Sequence, residues 1–186
     1  KMKNSDYKTK WINPGDEIIV SPWTMSASAM AILHWNAIPV FADIENETFN
    51  LNPKDVEKKI TKKTKAIMPV SLYGLSCDME KIMAIAKQHD IPVILDAAEA
   101  YFSTCNGKNA SKMADITSYS TENSKHIATG DGGIVTTDNT KFAESMRKFG
   151  SAGYKNLTAN SGKIRIDKDK FQDPNWRRHD LSLIHI

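Results

Sequence analysis

Short, unbroken apolar runs alternate with helix-forming segments along most of this chain, and that alternation restricts the fold more than any other feature. The runs fall at residues 17–20, 38–42, 66–71, 91–95, 116–120 and 134–137. Between them lie stretches that favour helix: 24–36 with Thr24 as its expected cap, 53–60 with Asn52 before Pro53, 78–88, and 138–149. Within the runs, apolar residues do not alternate with polar ones. Strands of that kind are buried on both faces, the condition of a parallel sheet covered by helices on each side. The expected fold class is α/β, a three-layer α/β/α arrangement around a mostly parallel central sheet.

Composition narrows the function. The chain has 186 residues, 40% hydrophobic and 25% charged, enough for a globular domain with a core. Its net charge of +3 comes from 25 basic and 22 acidic side chains. Basic and acidic groups are interspersed, as in Val56-Glu57-Lys58-Lys59, which reads as a solvated helix face and not as a nucleic-acid surface. The apolar runs are far short of the roughly 20 residues that span a bilayer. Residues 1–10 lack the apolar stretch of a signal peptide. Cys77 and Cys105 are far apart and lack metal-ligand spacing. They are expected as free thiols in a reducing, cytoplasmic setting. No metal is expected.

Domain organisation is expected as follows. Residues 1–12 form an atypical N-terminal segment, 13–150 form the main domain, and 151–180 make a polar surface excursion. Residues 181–186, Leu-Ser-Leu-Ile-His-Ile, resemble a translated sequencing adaptor and are set aside from the fold.

Two residues suggest chemistry. Asp96 follows the apolar run 91–95, so it is placed at the carboxyl end of a buried strand, where ligands bind in open α/β sheets. It could cap the next segment or face a cationic ligand group. Lys125 lies between the run ending at Ser120 and the turn Gly130-Asp131-Gly132-Gly133. A lone lysine is usually a solvated group, but this one can reach the same crevice. An amine in a partly desolvated pocket can attack a carbonyl to form a Schiff base. An aspartate that keeps a pyridine nitrogen protonated completes what pyridoxal-phosphate (PLP) chemistry requires. No G-x-G-x-x-G follows the first strand, which speaks against a nucleotide-binding oxidoreductase.

Several segments, in order, carry a family resemblance. They are Pro14-Gly15-Asp16-Glu17-Ile18-Ile19-Val20, Thr24-Met25-Ser26-Ala27-Ser28-Ala29, and Pro39-Val40-Phe41-Ala42-Asp43-Ile44. Further on come Thr64-Lys65-Ala66-Ile67-Met68-Pro69-Val70, Leu72-Tyr73-Gly74, Asp96-Ala97-Ala98-Glu99-Ala100, and Ser120 through Lys125 with Gly130-Asp131-Gly132-Gly133. From about Asn13 to Asp180 the chain resembles the sugar aminotransferases of the DegT/DnrJ/EryC1/StrS family, within the type I PLP-dependent fold. The resemblance implies that the chain is the large domain of that fold, incomplete at both ends. It implies pyridoxal 5'-phosphate as cofactor, Lys125 as the Schiff-base lysine and proton shuttle, and Asp96 as partner of the pyridine nitrogen. Ser120 is implied on the cofactor phosphate and Glu99 near the phenolic oxygen. A carboxylate beside a phenolate repels it unless protonated or bridged. Met25 is implied on the ring face, its alternative being a core helix position, with Trp23 a second candidate for the flat surface. His126 could touch substrate or tune Lys125. His34 and His89 are expected as packing or surface groups, and the role of Tyr73 stays open.

The implied reaction is transfer of an amino group from an amino acid, glutamate or glutamine, to a nucleotide-linked keto sugar, by a homodimer when full length. Residues 1–12 lack the glycine/serine-threonine-alanine segment that the family places under the phosphate, and no GYNYRM-like segment follows Asp180. The fragment itself is therefore expected to be inactive. Two rival readings remain: a PLP-dependent sugar dehydratase, in which histidine replaces the lysine, and a catalytically inactive homologue acting as a binding or regulatory module.

Overall fold

The computed structural model describes residues 12–150 and, beyond them, the backbone strands Tyr154–Asn156 and Arg165–Ile166. The expectations for residues 1–11, for most of 151–180 and for 181–186 fall outside the described residues. The chain divides into two compact units after Thr136.

The first unit runs β1 (Glu17–Val20), α1 (Ser26–Leu33), β2 (Ile38–Phe41), α2 (Pro53–Lys59), β3 (Thr64–Met68), α3 (Met79–Gln88) and β4 (Ile94–Asp96). A small hairpin follows, β5 (Thr104–Cys105) and β6 (Lys108–Asn109), then β7 (Ile116–Ser120) and β8 (Gly133–Thr136). Strands β2-β1-β3 pair in parallel, as do β4 and β7, while β8 runs antiparallel on β7. Parallel bridges Ile67–Val93 and Val70–Asp96 join β3 to β4. The sheet order is therefore β2-β1-β3-β4-β7-β8. Chain order reverses direction at β1, whose successor β2 lies on one side and β3 on the other. In open α/β sheets that reversal marks the ligand crevice, outside the carboxyl ends of the strands.

The continuous apolar runs are explained by burial on two faces. Ile19, Ile67, Val93 and Leu95 pack with Val56 of α2 and with Met79, Ile82 and Ala86 of α3. The alternate residues, Ile18, Val20 and Ala66, pack with Ile32 of α1 and with Ala37. Successive strand side chains point to opposite faces, so one strand feeds both cores. The three-layer α/β/α expectation holds.

Element ends differ from the sequence expectation for identifiable reasons. Strand β3 stops at Met68 because Pro69 has no N–H to give the ladder. Pro92 likewise delays β4, leaving Val93 on a single bridge. Helix α1 starts at Ser26, and the expected Thr24 cap is wrong: Met25 is the cap residue and makes no side-chain cap bond. The Thr24 hydroxyl lies 2.9 Å from Ser28 Oγ instead. The α2 cap follows the sequence, with Asn52 accepting from the Lys54 amide, while Asp78, expected as the first residue of α3, is its cap and accepts from the Lys81 amide. The β5–β6 hairpin turns on Asn106 and Gly107, both with positive φ. Glu80 of α3 holds it through Asn106 at 2.8 Å and Lys108 at 3.2 Å.

The second unit contains α4 (Thr140–Phe149), whose first turn is capped by Asn139, and the antiparallel pair β9 (Tyr154–Asn156) and β10 (Arg165–Ile166). No helix among the described residues is long and apolar enough to cross a membrane.

Candidate active site

Four loops leave the carboxyl ends of β1, β3, β4 and β7, and they bring the sequence-predicted residues to one edge of the sheet. Asp96 is the last residue of β4. Its backbone is locked on both sides: its amide donates to Pro69 O, its carbonyl accepts from Ser71, and the next amide, Ala97, reaches Ser118 O, each at 2.9 Å. The carboxylate accepts from the Ala98 amide at 3.1 Å and from Ser28 Oγ of α1 at 2.8 Å. One oxygen makes the local capping bond, and the other reaches across to a helix.

Lys125 sits on the loop after β7. That loop is closed at its neck by Thr121 and Thr129. The Thr129 amide donates to Thr121 O at 2.9 Å, and the two hydroxyls meet at 2.8 Å. The Thr121 amide reaches Gly132 O at 2.8 Å. A Cβ on Gly132 would lie 2.9 Å from the Thr121 hydroxyl, and one on Gly133 would lie 2.8 Å from Tyr119 O. Both glycines are thus required by close approach, which explains the Gly-rich turn after the lysine. Inside the loop, the Lys125 amide donates to Glu122 O at 3.0 Å. The Glu122 carboxyl lies below its usual range, chiefly because the Ser124 hydroxyl donates to it.

The ammonium of Lys125 faces Glu99 at 3.9 Å, with side-chain exposures of 21% and 38%. Glu99 in turn accepts from the Tyr73 amide at 3.0 Å. Tyr73 has φ 54°, ψ 28°, in the left-handed region. That conformation costs a bulky residue about 1–3 kcal/mol and persists only where its surroundings enforce it. The strained turn aims an N–H at Glu99. The Tyr73 hydroxyl also accepts from Trp23 Nε1 at 3.3 Å. Trp23, Tyr73, Glu99 and Lys125 therefore form one chain of contacts across the four loops.

This arrangement predicts a difference between two replacements of Tyr73. Glycine adopts positive φ freely, so Tyr73→Gly should leave stability within about 1 kcal/mol of the parent. Valine resists that conformation, so Tyr73→Val should lose roughly 2 kcal/mol. Denaturant unfolding of the pair decides it, and equal stabilities would mean that the left-handed turn is not what holds Glu99.

Ser120 ends β7, and its hydroxyl accepts from the Glu122 amide at 3.3 Å. Its carbonyl accepts from the Tyr101 hydroxyl, and the Tyr101 ring lies 5.1 Å from that of Tyr119. Met25 is 75% exposed, which overturns its reading as a core helix position and leaves it on the rim beside the half-exposed Trp23. His34 and His89 are exposed C-cap residues of α1 and α3, and His126 is exposed beside Lys125. Cys77 and Cys105 are free and buried, and burial pushes the Cys77 thiol up to about 12, so it is no nucleophile.

Sequence reasoning overlooked Ser28, Tyr101, Thr121 and Thr129 as supports of the site. A signal existed for Ser28. Thr24 and Ser28 are four residues apart, flanking the opening of a helix directly after a strand end.

The donor set suits PLP. A carboxylate on β4, a primary amine and a hydroxyl on the β7 side, and a partly buried location are the groups that a pyridinium nitrogen, an aldehyde and a phosphate require. Among the described residues the Ser120 hydroxyl donates to no protein group, which leaves its proton available.

Comparison with known proteins agrees. The sequence profile of the DegT/DnrJ/EryC1/StrS aminotransferase family matches residues 6–167. GDP-perosamine synthase of Caulobacter vibrioides is 44% identical over 142 residues, covering 76% of this chain and 38% of that protein. Among solved structures, the aminotransferase from Psychrobacter cryohalolentis superposes with a TM-score of 0.78 at 32% identity, covering 84% of this chain and 41% of the other. NtdA of Bacillus subtilis, solved with the cofactor PMP bound, gives 0.73 at 35% identity, covering 82% and 34%. The chain spans little more than a third of the length of the curated relatives it matches. A profile match over most of the chain, together with the shared type I fold, means that this chain belongs to the DegT/DnrJ/EryC1/StrS aminotransferase family.

Proposed function

We propose that the full-length protein is a PLP-dependent aminotransferase that moves an amino group from glutamate or glutamine to a nucleotide-linked keto sugar, in polysaccharide or secondary-metabolite sugar biosynthesis. What supports this most is that Asp96 ends β4 while the ion-paired Glu99 and Lys125 stand on the loops that follow β4 and the adjacent strand β7. Relatives named for aminating nucleotide sugars, such as GDP-perosamine synthase, point to the substrate class. In this reading residues 13–150 are the cofactor-binding large domain, and residues 151–180 lead towards a smaller one. The protein works as a homodimer in the cytoplasm.

When bound, PLP supplies an electron-accepting ring that stabilises negative charge on the carbon losing its proton. The rest is done by side chains of this chain. Asp96 offers fixed negative charge to the ring nitrogen. Lys125 Nζ would hold the cofactor aldehyde and, once free, would take the proton from the substrate carbon and deliver it to the carbon on the other side of the shared nitrogen. The Ser120 hydroxyl donates to the phosphate. Glu99 would lie beside the phenolic oxygen, and the Tyr73 amide and Lys125 that it already faces would offset the repulsion between the two negative groups. Met25 would pack on the ring face, as a thioether can, with Trp23 as the second candidate for that surface.

The test is a half-reaction. Full-length protein loaded with PMP and given a GDP- or UDP-linked keto sugar, with no amino donor, should release one equivalent of amino sugar. A deoxygenated sugar in place of the amine would identify a dehydratase. Absence of any product with both nucleotides would favour the inactive homologue.

A further inference from the structure

Asp96 is held by a residue that the proposed chemistry does not itself use. Its Oδ1 is tied locally, to the Ala98 amide at 3.1 Å. Its Oδ2 accepts from Ser28 Oγ at 2.8 Å, 68 residues away in sequence. Ser28 is only 4% exposed, in α1, which packs on the sheet through Ile32 against the cluster of Ile18 and Val20. The hydroxyl therefore comes from a packed helix and not from a mobile loop. Thr24 Oγ1 lies 2.9 Å behind it.

The proton positions follow from chemistry. A serine hydroxyl has one proton, and an ionised carboxylate can only accept. The Ser28 proton goes to Asp96, so Thr24 must donate to Ser28. A directed chain results, from Thr24 to Ser28 to Asp96. Bonds in such a chain polarise one another, and a bond to an ionised acceptor is about twice as strong as one between neutral groups.

We infer that Ser28, with Thr24 behind it, is the positioning residue for Asp96 and fixes the plane of the carboxylate that meets the cofactor's ring nitrogen. This rests on the reading of Asp96 given under Proposed function. It goes beyond that reading by assigning a cofactor-directed task to α1, whose cap residue makes no side-chain cap bond.

The test uses full-length protein with Ser28→Ala and Ser28→Thr, read by PLP titration, by the visible absorbance of the bound cofactor and by thermal unfolding without cofactor. Ser28→Ala should weaken PLP binding by about tenfold and move the absorbance band. Ser28→Thr, which keeps a hydroxyl, should restore both. A purely structural serine would change only the unfolding temperature. If Ser28→Ala binds PLP with the parent's affinity and band, the inference is overturned, whatever its unfolding temperature. Should Ser28→Ala fail to fold, Thr24→Val removes only the outer donor and should still weaken binding by about threefold, and unchanged binding there would also overturn it. Parent protein that takes up no PLP would defeat the reading of Lys125 and Asp96 and this inference with it. Normal uptake by the parent beside a silent Ser28→Ala defeats this inference alone.

Discussion

Lys125→Ala in the full-length protein should lower kcat by at least about 10³-fold while leaving the fold intact. The amine performs two tasks in the proposed reaction, holding the aldehyde and moving the proton. A positioned general base alone accounts for about 10²–10⁴ in rate. Stability should barely move. Lys125 stands on a loop, and its partner Glu99 is 38% exposed at 3.9 Å, so solvent screening leaves that pair less than about 1 kcal/mol. The neck of the loop is closed by Thr121 and Thr129, without help from the lysine side chain. Steady-state kinetics and thermal unfolding measured together check both halves. A variant retaining more than a tenth of the parent's kcat would exclude Lys125 from the chemistry, and a collapsed unfolding temperature would assign it to the fold.

Asp96→Asn is the second large expected effect, for a different reason. Asparagine has nearly the same shape and can still accept from the Ala98 amide. It has no negative charge, and one of its two terminal atoms now donates. Either the contact with Ser28 is lost or the Thr24–Ser28 chain must reverse direction. Removing preorganised charge from a partly buried site should cost roughly 3 kcal/mol of transition-state stabilisation, or about 10²-fold in kcat/KM. The contrast with Asp96→Glu is informative, since glutamate keeps the charge but moves it. If Asp96→Asn matches the parent in kcat/KM, Asp96 is the strand-end cap that its bond to Ala98 also allows.

Much of the fold was legible because burial on two faces leaves a plain record. Strands such as Glu17–Val20 are unbroken apolar runs, and Ile18 and Ile19 belong to opposite cores. The edges of elements were less legible. Prolines 69 and 92 shift strand ends through lost donors, which an apolar-run reading does not weigh. The start of α1 was misplaced because Thr24 looked like a cap, whereas its hydroxyl turns towards Ser28. The β5–β6 hairpin was missed although Asn106-Gly107 is a strong local turn signal, because its strands are only two residues long.

The site divides in the same way. Asp96 and Lys125 were readable from their places beside strand ends and a glycine turn. Glu99 and Ser120 came through the family resemblance. The supports were not readable, because they depend on meetings between distant segments. Tyr73 and Glu99 are 26 positions apart, and Ser28 and Asp96 are 68 apart. No local pattern encodes such pairs. Met25 shows the reverse error: a helix-former in sequence is a 75% exposed rim residue, because the helix begins one position after it.

The proposed chemistry requires that one amine, that of Lys125, capture the cofactor. Full-length protein incubated with PLP, reduced with borohydride, digested and weighed by mass spectrometry should carry the reduced pyridoxal adduct on the peptide containing Lys125. An adduct spread over surface lysines, or fixed on a different residue, would contradict it.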